Sequence, residues 1–188
     1  MILGFTGKNA GGKGEAAKYL MTRGFVYHSL SDALREVATK MGIEHSRDNL
    51  INLGNELRKK FGPDYLAKEI YKKIRVEAKD GSKNFVIDSI RSPFEATELM
   101  KGKDFILVGI DAPIELRFKR LRERNRLGDA KTLEDFKSQE QRENLKSDTN
   151  QQLDATFQMA ERIIINEGSL QELYKKVNGL LKELKWQG

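Results

Sequence analysis

Apolar residues fall in five short runs separated by longer stretches with helical spacing. The runs are Ile2 to Thr6, Phe25 to His28, Phe85 to Asp88, Phe105 to Ile110 and Arg162 to Ile165. Runs of this length predict buried strands. Strands alternating with helices predict an α/β unit whose sheet is parallel and whose crossovers are right-handed. Two helix starts are marked. Ser92-Pro93-Phe94-Glu95 combines a serine cap, a proline at the first helical position and a glutamate three residues after the cap, and Ser169-Leu170-Gln171-Glu172 repeats the capping box. Asp129 to Asn150 is polar and poor in apolar residues, which predicts the most mobile segment. The 188 residues show no repeat, low-complexity tract or break in composition, and read as one domain with room for small inserts.

Chemistry enters where the first run ends. Gly7-Lys8-Asn9-Ala10-Gly11-Gly12-Lys13-Gly14 reads G-x-x-x-x-G-K, a phosphate-binding loop between a strand and a helix spanning roughly Lys13 to Thr22. Glycines let the chain turn sharply and aim backbone N–H groups at one point, and the helix adds unsatisfied N–H groups and its positive dipole end. Lys13 then reaches the β- and γ-phosphates of a bound nucleotide as a point charge. The residue after this lysine is ordinarily Ser or Thr, whose hydroxyl ligates Mg²⁺; here it is Gly14, followed by Glu15. Direct metal ligation by the loop is therefore not expected.

Composition narrows the remaining classes. There are no cysteines, which excludes disulfides, thiol catalysis and thiolate zinc sites, and His28 and His45 are the only histidines. No apolar segment approaches membrane-spanning length, and the first five residues lack the flanks of a secretory signal, so a cytoplasmic protein is expected. The net charge of +6 raises the question of nucleic acid, because Arg117, Lys119, Arg120, Arg122, Arg124 and Arg126 crowd ten positions beside Glu115 and Glu123. In a chain with a phosphate loop, converging arginines are more economically read as ligands for the same nucleotide.

In a parallel sheet the ligand crevice lies past the carboxyl ends of the strands. After the second strand comes Ser29-Leu30-Ser31-Asp32-Ala33-Leu34-Arg35; taken alone, Asp32 reads as a helix cap and Arg35 as a solvated face residue. After the third comes Asp88-Ser89-Ile90-Arg91, where Asp88 is placed to hold a magnesium-bound water or orient an attacking oxygen and Arg91 to reach a phosphate. Asp111-Ala112-Pro113 follows the fourth strand.

These segments resemble those of the P-loop nucleoside and nucleotide kinases, the adenylate kinase and dephospho-CoA kinase group. They are also similar to small adenylate-kinase-related proteins and to the kinase-like segment joined to some deoxycytidylate deaminases. Ser29 to Arg35 resembles the S-T-G-D-M-L-R segment, whose arginine binds the acceptor phosphate. Asp88 to Arg91 resembles D-G-F-P-R shortened by one residue, which implies a second acceptor ligand in Arg91. Arg120 and Arg124 follow Pro113 by seven and eleven positions, the spacing of two lid-hinge arginines. Asn166-Glu167-Gly168-Ser169 is similar to the loop around the donor base. The segment Asn49 to Arg58 with Gly62-Pro63-Asp64 is similar to the nearer relatives; Arg58 reads there as an acceptor contact and, equally, as an ordinary charged helix end. The resemblance implies a three-layer α/β/α P-loop fold with a five-stranded sheet in the order 2-3-1-4-5, an acceptor insert at about 30–75 and a lid at about 120–150. A deaminase is excluded, because its zinc site needs cysteines.

The expected activity is ATP-dependent phosphoryl transfer, with Mg²⁺, to a small nucleotide acceptor, foremost a nucleoside or deoxynucleoside monophosphate. Residues 7–15, Asn166 and Gly168 would hold the donor, and Arg35, Arg58, Arg91 and Arg142 the acceptor. Lys13, Arg120 and Arg124 would close on the moving group, with Asp32 or Asp88 as base for a hydroxyl acceptor. Two alternatives stand: a hydroxyl kinase of the dephospho-CoA type, and a nucleotide-binding switch or nucleic-acid-associated ATPase without a kinase acceptor. A monomer or homodimer is expected, with no membrane partner.

Overall fold

The computed structural model describes residues 1–125, 128–144 and 151–186. Arg126 of the basic cluster and residues 145–150 of the polar segment and expected lid lie outside the described residues. The elements run β1 (Ile2–Thr6), α1 (Lys13–Met21), β2 (Val26–Ser29), α2 (Leu30–Lys40), α3 (Arg47–Phe61), α4 (Tyr65–Lys79), β3 (Phe85–Ile90), α5 (Pro93–Met100), β4 (Phe105–Asp111), α6 (Ile114–Arg124), α7 (Leu133–Glu143), α8 (Leu153–Gln158), β5 (Arg162–Ile165) and α9 (Leu170–Glu183).

All strand pairs are parallel, and the order is β2-β3-β1-β4-β5, as the kinase resemblance implies. Alternation along the central strands divides the core. Leu3, Phe5, Val86, Val108 and Ile110 face α1 and α9, while Ile87, Ile90 and Leu107 face α4, α5 and Leu30 of α2. Both faces are covered, so the strands read as nearly continuous apolar runs. Among the described residues no helix is long and apolar enough to cross a membrane.

Three departures from the sequence expectations bear on the site. The third strand does not stop at Asp88 but continues to Ile90 through a bulge: Gly4 pairs with Ile87 and Thr6 with Ile90, so Phe5 opposes both Asp88 and Ser89. Ser89 takes φ +66°, a left-handed conformation that costs a side-chain-bearing residue energy, at the bulge that bends the strand end. At the start of α5, Ser92 accepts from the N–H of Phe94, but the Glu95 carboxylate passes by its own cap and accepts from the Arg91 N–H. The Ser169–Glu172 box forms in full. Finally, the polar segment after Asp129 carries α7, because Phe136 buries completely against Leu121 and Ala130. One aromatic side chain anchors a helix that polar composition conceals.

Candidate functional site

The phosphate loop joins β1 to α1 at the carboxyl edge of the sheet, and its glycines meet two close approaches. Gly7 has φ +128°, and a Cβ there would lie 2.1 Å from the Ile110 carbonyl oxygen. Gly12 has φ +110°, and a Cβ would lie 2.1 Å from Asn166 Nδ2. Both positions need glycine for conformation and for space. At Gly14 a Cβ would meet nothing within 4 Å, so the side chain missing relative to the usual Ser or Thr leaves open space.

Lys13 is buried and donates to the carbonyls of Gly7 (2.6 Å) and Lys8 (2.8 Å). Among the described residues no carboxylate lies within ion-pair distance of it. Burial lowers its pKa to about 8; Asp88 and Asp111 oppose that shift, while Arg91 and Arg124 add to it. Five expected or neighbouring charges, from α1, the ends of β3 and β4, and α6, therefore share one electrostatic environment. A buried ammonium held only by carbonyl dipoles gains from an anion, so the donor set fits a polyphosphate. Asn9 Nδ2, on the same loop, is buried with no hydrogen-bond partner among the described residues.

The loop after β5 is stapled to this site. Asn166 donates from Nδ2 to the Gly11 carbonyl (2.9 Å) and from its backbone to the Asp111 carbonyl (2.7 Å). Arg120, expected over the moving phosphoryl group, donates instead to Asn166 O (3.1 Å), Asn166 Oδ1 (3.4 Å) and Gly168 O (3.4 Å). Arg124 makes a bidentate pair with Asp129 at 2.9 and 2.8 Å. Lys8 pairs with Asp154 at 3.4 Å, and Glu15 with Lys18 at 2.7 Å.

On the other side of the crevice the expected residues separate. Ser29, not Asp32, caps α2 by accepting from the Asp32 N–H, and the Asp32 carboxylate pairs with Arg35 at 2.6 Å on the surface. Tyr27, whose hydroxyl is pushed up to about 12 by burial and then by Asp88, donates weakly to Asp32 at 3.4 Å. Asp88 is buried and accepts from the Ser89 N–H at 2.6 Å. Arg58 is neither an exposed helix end nor open to a ligand: it is 5% exposed and bonded to Glu95 at 3.0 and 3.3 Å. Arg91 donates from Nη1 to Gln151 Oε1 at 3.2 Å. Gln151 and Arg142 line a cavity of about 410 Å³ between α3 and α7, together with Arg47, Asn52, Asn55 and Gln139.

Three charged groups have buried roles that the sequence reading does not give them: Arg117 reads there within the basic cluster, Glu95 as a cap, and Glu140 is not singled out. Arg117, 2% exposed, donates to the Ala112 carbonyl (2.8 Å) and the Asn9 carbonyl (3.4 Å), and its guanidinium pairs with Glu140 of α7. Glu140 and Glu95 are its counterparts in burial, at 6% and 1% exposed. Only the four-residue helical spacing of Phe136 and Glu140 hints that α7 turns a face inward.

Comparison with known proteins gives consistent results. Residues 6–137 match the family model described as an AAA domain. The chain is 32% identical over 187 residues to a UPF0200 protein of Thermococcus gammatolerans, covering 98% of this chain and 95% of the relative. It is also 32% identical over 185 residues to a UPF0200/UPF0201 protein of Archaeoglobus fulgidus, covering 97% of this chain but 55% of that relative, so the chain spans about half of the longer protein. Among solved structures, shikimate kinase from Acinetobacter baumannii in complex with shikimate superposes with a TM-score of 0.60 at 16% identity, covering 99% of this chain and 95% of that one. Dephospho-CoA kinase from Campylobacter jejuni gives a TM-score of 0.56 at 16% identity, covering 97% and 96%. The resemblance to P-loop kinases holds at the level of the fold.

Proposed function

The chain belongs to the AAA-domain and UPF0200 families, and from that premise we propose that it transfers a phosphoryl group from ATP to a small nucleotide, foremost a (deoxy)nucleoside monophosphate. One observation carries the kinase reading beyond nucleotide binding alone. Arg91 lies in the electrostatic environment of Lys13 and is hydrogen-bonded to Gln151, a wall of the 410 Å³ cavity. A cation thus stands between the phosphate loop and a second polar cavity, as a two-substrate site requires. In this reading α2 to α4 form the acceptor insert, and α6 and α7 the lid.

Phosphoryl transfer needs in-line positioning and positive charge more than covalent chemistry. The loop N–H groups and Lys13 hold the donor phosphates, and Arg91 and Arg142 hold the acceptor. An acceptor phosphate oxygen forms the new bond to the γ-phosphorus as the bridging oxygen leaves with ADP. That oxygen is already ionised and needs no base. Arg124 lies close enough to influence Lys13 while Asp129 holds its guanidinium. Arg120 orders the loop that would surround the donor base. Mg²⁺, when bound, neutralises charge on the β- and γ-oxygens. With no hydroxyl at Gly14, and no cluster of three metal-ligating side chains among the described residues, this chain offers it Asp88 through water.

A hydroxyl acceptor is the second reading, supported by the electrostatic influence of the Asp88 carboxylate on Lys13; in it Asp88 would take the hydroxyl proton. The nucleic-acid reading loses ground, because Arg117, Arg120 and Arg124 turn inward to protein partners. A coupled ADP-release assay across ribo- and deoxynucleoside monophosphates and dephospho-CoA tests the proposal. We expect release to depend on one acceptor class. Equal release with and without every acceptor would overturn it.

A further inference from the structure

We propose that Glu95 is a positioning residue for the acceptor side of the site, holding α3 and the β3–α5 turn in one fixed relation; this rests on the kinase reading above. Two identical sequence signatures, S-x-x-E, behave differently in the fold. At Ser169 the glutamate three residues on returns to the cap and closes the box. At Ser92 the corresponding Glu95 leaves its own cap and spends both oxygens elsewhere. Oε1 accepts from Arg58 Nε and Nη2, at 3.3 and 3.0 Å, and Oε2 accepts from the Arg91 N–H at 3.0 Å.

Both partners lead to the cavity. Arg58 Nη1 reaches Asn55 Oδ1 at 3.5 Å, and Asn55 lines the wall supplied by α3. The Arg91 guanidinium bonds to Gln151, which lines the same cavity. One carboxylate, 1% exposed, therefore ties the backbone of the acceptor arginine to the helix that builds the opposite wall. Stability alone gives weak reason for such a pair, because well-packed apolar residues of similar volume often replace a buried ion pair at no loss. What apolar residues cannot reproduce is the directional hold on the Arg91 N–H.

The experiment compares wild type, Glu95→Gln and the double variant Arg58→Met/Glu95→Leu. Glutamine keeps the size but presents either one acceptor or an amide N–H, so it cannot accept from Arg58 and from the Arg91 N–H at both ends. The readouts are KM and kcat for the nucleoside monophosphate accepted by wild type, the Kd of fluorescently labelled ADP, the thermal midpoint and hydrogen exchange at residues 91–94. We expect about tenfold or greater increases in acceptor KM in both variants, with ADP affinity within twofold and faster exchange at Arg91. The double variant should keep a midpoint close to wild type yet retain the raised KM. A wild-type acceptor KM in the double variant would reduce Glu95 to a structural role and overturn the proposal. If the wild type shows no acceptor-dependent ADP release, the kinase reading and this role fall together. Activity with unchanged acceptor KM removes only the role of Glu95.

Discussion

In the proposed kinase reading, the donor and acceptor halves of the crevice are built by different means. The phosphate-binding part of the donor half is contiguous in sequence and made chiefly of backbone: glycines, N–H groups, a helix start and one lysine. The acceptor half is made of side chains from α3, α7 and the turn after β3, oriented by charge pairs. Among the described residues each half has a buried arginine–glutamate pair. Arg117–Glu140 ties the phosphate loop and the end of β4 to α7, and Arg58–Glu95 ties α3 to α5. The donor pair touches the loop at a backbone carbonyl, whereas the acceptor pair sets the stance of another arginine. Backbone sites need only a permissive sequence, but side-chain sites must have their orientation supplied from elsewhere in the fold.

Four measurements test this contrast. Glu140→Ala removes the bidentate partner of the buried Arg117, leaving it Asp111 at 3.4 Å, and should destabilise by up to about 3–5 kcal/mol in chemical denaturation. A loss below about 1 kcal/mol would show that the donor half does not depend on its buried pair. Lys13→Ala should lower kcat/KM by about 10²–10³-fold through the donor alone, with acceptor KM little changed.

The pH dependence of nucleotide binding separates the halves further. Lys13 has a folded pKa of about 8 against 10.5 for the free side chain, so the folded state binds the proton less tightly than the unfolded one. The resulting penalty is fully present below pH 8 and is relieved as pH rises toward 10.5, so the nucleotide-free protein should gain stability across that window. Phosphate binding favours the charged lysine, so ADP affinity should be flat below pH 8 and fall above it. Both dependences should vanish in Lys13→Ala; a fall that persists in calorimetric titration would assign it to another group. The smallest effect expected is at Ser89, where φ is +66°. Ser89→Gly relieves the left-handed strain but adds unfolded-state entropy, for a net gain of up to about 1 kcal/mol in thermal unfolding.

Much of this was legible beforehand, and unevenly so. The strand runs, the sheet order implied by the kinase resemblance and the loop at Gly7 to Gly14 all reappear in the structure. Asp88 and Arg91 share the electrostatic environment of Lys13. Arg120 and Arg58 show what was not legible: Arg120 was expected at a ligand and Arg58 at a ligand or, equally, at an ordinary charged helix end, yet one holds the loop after β5 and the other is sealed against Glu95. Their partners lie 46 and 37 positions away, and no local pattern marks them. Glu95 was hidden more completely, because its sequence context already offered a sufficient local explanation as a helix cap. α7 was hidden by polarity, since a helix anchored chiefly by Phe136 gives too little periodicity to stand out.

The order of residues along the chain was enough to set the alternation of strands and helices and the position of the phosphate loop. Both depend on short-range backbone chemistry: which residues suit a buried strand, and where glycine permits a turn that no other residue allows. Tertiary structure alone decided which arginines face the crevice and which are spent on holding it together. A guanidinium on a long, flexible stem takes its direction from whichever carboxylate or carbonyl the fold brings within reach, and that neighbour is set only when distant elements pack.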